Sequence, residues 1–108
     1  MTEAFKLIIS KGFHISEEQI QAICRKYAIK NIAVFGSILR EDFRTDSDID
    51  FLVGFDDDAS ISLFDLMELE SDLSSLFNRA VDIVEPTALK NPIRRQAILN
   101  SCETLYAA

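Results

Sequence analysis

The sequence predicts a small α/β domain, and three observations carry that reading. Ser16-Glu17-Glu18-Gln19 is a capping box that opens a helical pattern. Short apolar runs at 31–35, 48–55 and 80–84 are bounded by turn residues, as buried strands are. An amphipathic stretch near 60–77 separates the second run from the third, and strands alternating with helices form a small sheet flanked by helices. At 108 residues the chain suits one domain over 1–108, large enough to bury a real core.

The elements follow in order. Residues 1–15 hold an apolar cluster, Phe5, Leu7, Ile8 and Ile9, closed by Lys11 and Gly12; helix and extended chain are both open there. Ser16 caps a helix over 17–28, in which Ile20, Ile23, Cys24 and Tyr27 recur at helical spacing and Ile15 staples to Ile20. Asn31 to Phe35 is a strand ended by Gly36-Ser37, with a helical turn expected near 38–41. Asp48 to Phe55 is a second strand, acidic at its start and apolar in its body. Ser60 or Ser62 caps the next helix, whose stripe is Leu63, Leu66, Met67, Leu73, Leu76 and Phe77. Ala80 to Val84 is the third strand, and Asn91-Pro92 start a last helix over 93–101.

Composition narrows the function. Net charge is −7, and no basic stripe is present to neutralise duplex phosphates, so direct duplex nucleic-acid binding is disfavoured. A single nucleotide is still compatible, because divalent cations reverse the local sign. Cys24 and Cys102 form no CxxC, and with His14 alone they make no zinc set; both read as reduced thiols of a cytoplasmic protein, Cys24 in a packing role. No apolar stretch approaches membrane-spanning length, and no signal-peptide run opens the chain.

Three carboxylates sit where carboxylates are expensive. Asp48 and Asp50 are two apart at a strand start and point to one face. Asp82 lies between Val81 and Ile83, where burial of an unpaired charge costs several kcal/mol, roughly, unless a metal or partner meets it. Antiparallel pairing of the first two strands brings Gly36-Ser37 and both aspartates to one end of the sheet, and a third strand beside the second adds Asp82. Divalent cations are the simplest remedy for such crowding. Gly36 lets a phosphate approach the backbone and Ser37 offers a hydroxyl and an amide to it. Arg40, one turn on, is either a phosphate contact or half of a surface ion pair. Asp56-Asp57-Asp58 reads as a solvated loop, and Arg94 and Arg95 face the nucleotide, a partner or solvent.

Gly36-Ser37, ten residues, then Asp48-Ile49-Asp50 resembles the GS-x10-DxD signature of the polymerase-β nucleotidyltransferase superfamily. Val34-Phe35-Gly36-Ser37, Ser47 to Val53 and Ala80-Val81-Asp82-Ile83-Val84 look like its minimal nucleotidyltransferase branch, over roughly residues 18–106. The resemblance implies a polymerase-β-like fold with a small mixed sheet. It implies that Asp48, Asp50 and Asp82 bind two Mg²⁺ ions, and that Gly36 and Ser37 hold the triphosphate of ATP. Members of this branch are often antitoxins paired with a HEPN-domain toxin, to whose tyrosine they transfer AMP. Two other outcomes stay open: neutralisation of the partner by binding alone, and transfer to a small molecule such as an aminoglycoside. Larger superfamily enzymes carry an added acceptor-gripping domain, and this chain shows none, so a large acceptor is expected to bring its own recognition surface. One departure stands out: many relatives read GSxARG, whereas here Ile38-Leu39 precede Arg40 and Glu41-Asp42 follow it.

Overall fold

The computed structural model describes residues 2–108. Its elements are α1 (Glu3–Ser10), α2 (Glu17–Lys26), β1 (Ile29–Phe35), a 3-10 turn (Gly36–Leu39), β2 (Ile49–Phe55), α3 (Leu63–Phe77), β3 (Val81–Val84), a second 3-10 turn (Pro86–Ala88), α4 (Pro92–Ser101) and β4 (Glu103–Ala107). The strands form one mixed sheet in the order β3-β2-β1-β4. β1 is antiparallel to both β2 and β4, and β2 is parallel to β3. Parallel pairing needs a crossover, which α3 supplies.

Local chemistry accounts for most boundaries. The expected capping box at Ser16 is present in both directions, with Gln19 Oε1 accepting from the Ser16 amide at 2.9 Å. Ser62, rather than Ser60, caps α3, and Asp65 reaches back to the Ser62 amide to complete a second box. Asn78 ends α3 in the left-handed conformation at φ 55°, which asparagine tolerates better than most residues. Asn91 Oδ1 accepts from the amides of Ile93 and Arg94 to start α4.

Two core clusters lie on opposite faces of the sheet. Along β2, Ile49, Phe51 and Val53 point to the face covered by α1, α2 and α3. Ala33, Phe35 and Leu52 point the other way and pack with Leu89 and Ile98 under α4. Phe51 is the hub of the larger cluster, fully buried and edge-on to Phe77 at 5.2 Å, which is in turn edge-on to Phe13 at 5.3 Å. Cys24 and Cys102 are both unpaired, and burial pushes the Cys24 thiol up to about 11, the mark of an unreactive packing residue. Tyr27 is buried to its ring and donates its hydroxyl to Asp72 at 2.5 Å, tying α2 to α3. Among the described residues no helix is long and apolar enough to cross a membrane.

The structure settles one open point of the sequence reading and departs from it at two others. Residues 3–10 are helical: Ala4, Phe5 and Ile8 share one buried face, and Thr2 caps it. β4 is a strand that the sequence did not announce, since of its five residues only Leu105 is buried and no alternation is long enough to read. The α3 stripe is rotated: Leu69, Leu73 and Phe77 are buried, while Leu63 and Met67 stand 72% and 58% exposed. Phe51→Ala removes a fully buried ring and is expected to destabilise the fold by about 3–5 kcal/mol. Phe64→Ala, at a position 80% exposed, should change stability by less than about 0.5 kcal/mol. Urea unfolding of both variants checks the pair.

Candidate functional site

The face of the sheet beneath α4 carries the acids. Asp50 pairs across the sheet with Phe35 on β1 and with Asp82 on β3, and directly opposed residues share a face. Asp48, two residues before Asp50, falls on the same face by strand alternation. Backbone pairing alone therefore brings Asp48, Asp50 and Asp82 to one end of one face, with the end of β1 alongside.

The glycine-serine turn is built against this cluster. Gly36 has φ +76°, where L side chains are strained, and a Cβ there would run into the Asp50 carboxylate. The Asp50 Cγ is itself 3.4 Å from that position. Ser37 Oγ donates to the Asp48 carbonyl at 3.2 Å, which ties the turn to the first acid. Any residue but glycine at 36 would thus displace either the turn or Asp50.

Asp82 departs from the expectation of a buried charge. It is exposed, because Val81 takes the inward position of β3 and Asp82 the outward one. Asp48 is exposed as well, and Asp50 is half-buried. The carboxyl group of Asp50 is raised above the ordinary 3.8, first by burial, then by the charges of Asp82 and Asp48. Among the described residues no three His, Cys, Asp or Glu side chains converge as a finished metal cage. The donor set nevertheless fits a hard divalent cation: three carboxylates whose mutual repulsion such an ion would relieve.

Arg40 lies at the end of the 3-10 turn, exposed, with its Nε 3.1 Å from Asp42 Oδ1. Its Nε is thus engaged in the surface ion pair that was one of its two readings, and no Nη contact accompanies it among the described residues. The acidic loop 56–58 is solvated at the far end of β2, where Asp57 pairs with Lys30 at 3.0 Å. A cavity of about 460 Å³ bordered by Lys30, Gly54, Asp57 and Glu85 also lies at that far end.

Arg94 acquires a place that the sequence left open. Ile98 is buried against the second core cluster, and Arg94 is one helical turn earlier on the same side of α4. That directs it toward the acid end of the face, where its positive charge counteracts the rise at Asp50. Among the described residues Arg94 makes no ion pair. A cation in the first turn of a helix opposes the helix dipole, so its position is better explained by the neighbouring acids or an incoming anion than by helix stability. Arg79, which no sequence pattern singled out, contacts the loop that leads into Asp48.

A glycine turn pressed against one of three carboxylates on one face of a mixed sheet is an arrangement compatible with nucleotidyl transfer. A family model described as polymerase beta, nucleotidyltransferase, matches residues 18–108, and the chain belongs to that family. Curated relatives share the name protein adenylyltransferase. One of them, MJ1217 of Methanocaldococcus jannaschii, provisionally so named, is 41% identical over 73 residues, 68% of this chain and 72% of its own. The fold is also that of a chain from a toxin–antitoxin crystallised with AMP-PNP (TM-score 0.68, 23% identity, covering 87% of this chain and 75% of that one). It is shared too by a chain from the tri-AMPylated Shewanella oneidensis HEPN toxin in complex with its MNT antitoxin (TM-score 0.55, 21% identity, 85% and 70% covered).

The raised pKa of Asp50 has a consequence for stability. The folded state holds this proton more tightly than the unfolded chain, so stability falls as pH rises from the unfolded value of 3.8 through the higher folded one, and the ionised carboxylate is a standing cost above both. Asp50→Asn should therefore melt higher than the wild type at pH 7 in EDTA, and the gain should vanish near pH 3. Thermal melts at the two pH values check it.

Proposed function

We propose that this protein is a Mg²⁺-dependent adenylyltransferase that transfers AMP from ATP to a tyrosine hydroxyl of a HEPN-domain toxin, and thereby serves as its antitoxin. The observation that carries the reading is the register of Asp50 with Asp82 on one face, with Gly36 pressed against the Asp50 carboxylate. The names of the curated relatives support the adenylyl group, and the solved complexes of the same fold support the kind of partner.

Asp48, Asp50 and Asp82 would hold two Mg²⁺ ions, which when bound neutralise the triphosphate and lower the barrier for an oxygen nucleophile. The residues of the chain do the rest. The Gly36-Ser37 turn seats the triphosphate on backbone amides, and glycine at 36 lets that turn lie against the Asp50 carboxylate without displacing it. Arg94 approaches from α4 and offsets charge on the acid face, and Arg40, held to Asp42 through Nε alone, offers its Nη groups to the phosphates. The acceptor oxygen attacks the α-phosphorus in line, the bond to the β-phosphate oxygen breaks, and pyrophosphate leaves. Asp82, exposed on the edge strand, takes the hydroxyl proton. The acid end of the face is open, which suits an acceptor presented on a folded partner. We place the reaction in the cytoplasm, where ATP is abundant and the two free cysteines stay reduced.

Incubation of the HEPN partner with this protein, ATP and Mg²⁺ should add one or more AMP masses to the partner in an intact-mass spectrum. Asp48→Asn and Asp82→Asn should each lower that rate by at least about 100-fold while keeping the fold. Full transfer in both variants would refute the assignment. Neutralisation of the partner by the double variant, with no mass gain in the wild type, would establish the alternative of a −7 binding protein.

A further inference from the structure

We propose that Arg79 is a positioning residue for nucleotidyl transfer, which it serves by holding the 40–48 loop so that Asp48 meets Asp50 and Asp82. This inference rests on the transfer activity proposed above. The loop needs such a device. It has no regular structure between Leu39 and Ile49 and no apolar periodicity, yet it must deliver a charged side chain to a fixed point.

The contacts are specific. Arg79 Nη1 donates to the carbonyls of Arg44 and Ser47, both at 2.9 Å. Ser47 is the residue before Asp48. The same guanidinium lies 4.8 Å from the centroid of Phe43 and 5.2 Å from that of Phe13, so its apolar surroundings come from the loop and from the core at once. The loop closes on itself beneath this clamp, with the Arg44 amide donating to Ser47 Oγ at 3.0 Å and the Ser47 amide donating to the Arg44 carbonyl at 3.1 Å.

Arg79 is itself anchored. Its amide donates to the Ser74 carbonyl at 3.2 Å, and its own carbonyl accepts from Ser74 Oγ at 2.6 Å. It stands three residues before Asp82, and the next residue, Ala80, accepts from the Ile49 amide at 3.0 Å to begin the β2–β3 pairing. One side chain thus couples the segment before Asp48 to the segment before Asp82. Guanidinium suits the place because it donates in its plane and presents flat faces to the rings, which an ammonium cannot do. The Ser37 contact adds a tie at the end of the loop, through the Asp48 carbonyl alone.

The test combines hydrogen exchange with kinetics on the whole chain and the HEPN partner. In Arg79→Gln, amides of residues 43–48 should exchange faster, while those of β1 and β2 keep their protection. The kcat for AMP transfer should fall about 10- to 100-fold, with KM for ATP changed less than about threefold. Arg79→Lys, which keeps the charge and loses the flat contact, should fall between on both readouts and serves alone if the glutamine variant does not fold. Faster exchange at 43–48 with unchanged kcat would overturn the proposal, as would unchanged exchange in both variants. A rise in KM for ATP at constant kcat would also overturn it, by moving Arg79 onto the nucleotide. Should the wild type transfer nothing, the transfer reading fails, and the exchange arm still decides whether Arg79 orders the loop.

Discussion

The pairing of β2 with β3 places Asp50 beside Asp82, and the rest of the site is arranged around that juxtaposition of like charges. Backbone hydrogen bonds and the apolar burial of Ile49, Phe51 and Val81 on the other face enforce it. The sheet thereby sustains a repulsion that free carboxylates would relieve by moving apart. The consequence is written into Asp50, whose carboxyl is raised by burial and by both neighbouring acids. A fold stable only by a few kcal/mol, roughly, carries such a conflict where function needs it.

The surrounding residues moderate the conflict without removing it. Gly36 yields the space that the Asp50 carboxylate occupies, Ser37 binds the Asp48 carbonyl, and Arg94 brings a positive charge from α4. Asp48 and Asp82 remain exposed, so their hydration offsets part of the cost. The second face of the sheet is covered by α4 and the 86–91 segment, while Asp48 and Asp82 at the acid end stay exposed.

Much of this was legible in the sequence, for local reasons. The capping box at Ser16, a serine cap at the start of α3, the Asn91-Pro92 start of α4 and the apolar bodies of β1, β2 and β3 are short-range signals, and the structure has each of them. The strand-end placement of Gly36-Ser37 beside Asp50 followed from antiparallel pairing and spacing. What stayed hidden depends on contacts between distant segments. β4 is defined by its partner β1 more than by its own five residues. Asp82 looked buried because its sequence neighbours are apolar, whereas strand alternation turns it outward. Arg79 carries no pattern at all, since its role lies in two carbonyls more than thirty residues away.

The most direct measurement is a titration of Mn²⁺ followed by electron paramagnetic resonance, with and without AMP-PNP, on the wild type and on Asp48→Asn. An acid face built for nucleotide and metal together predicts weak binding of the ion alone, tight binding of about two ions per chain once AMP-PNP is present, and loss of that binding in the variant. Absence of nucleotide-dependent binding in the wild type, or its survival in Asp48→Asn, would contradict the account.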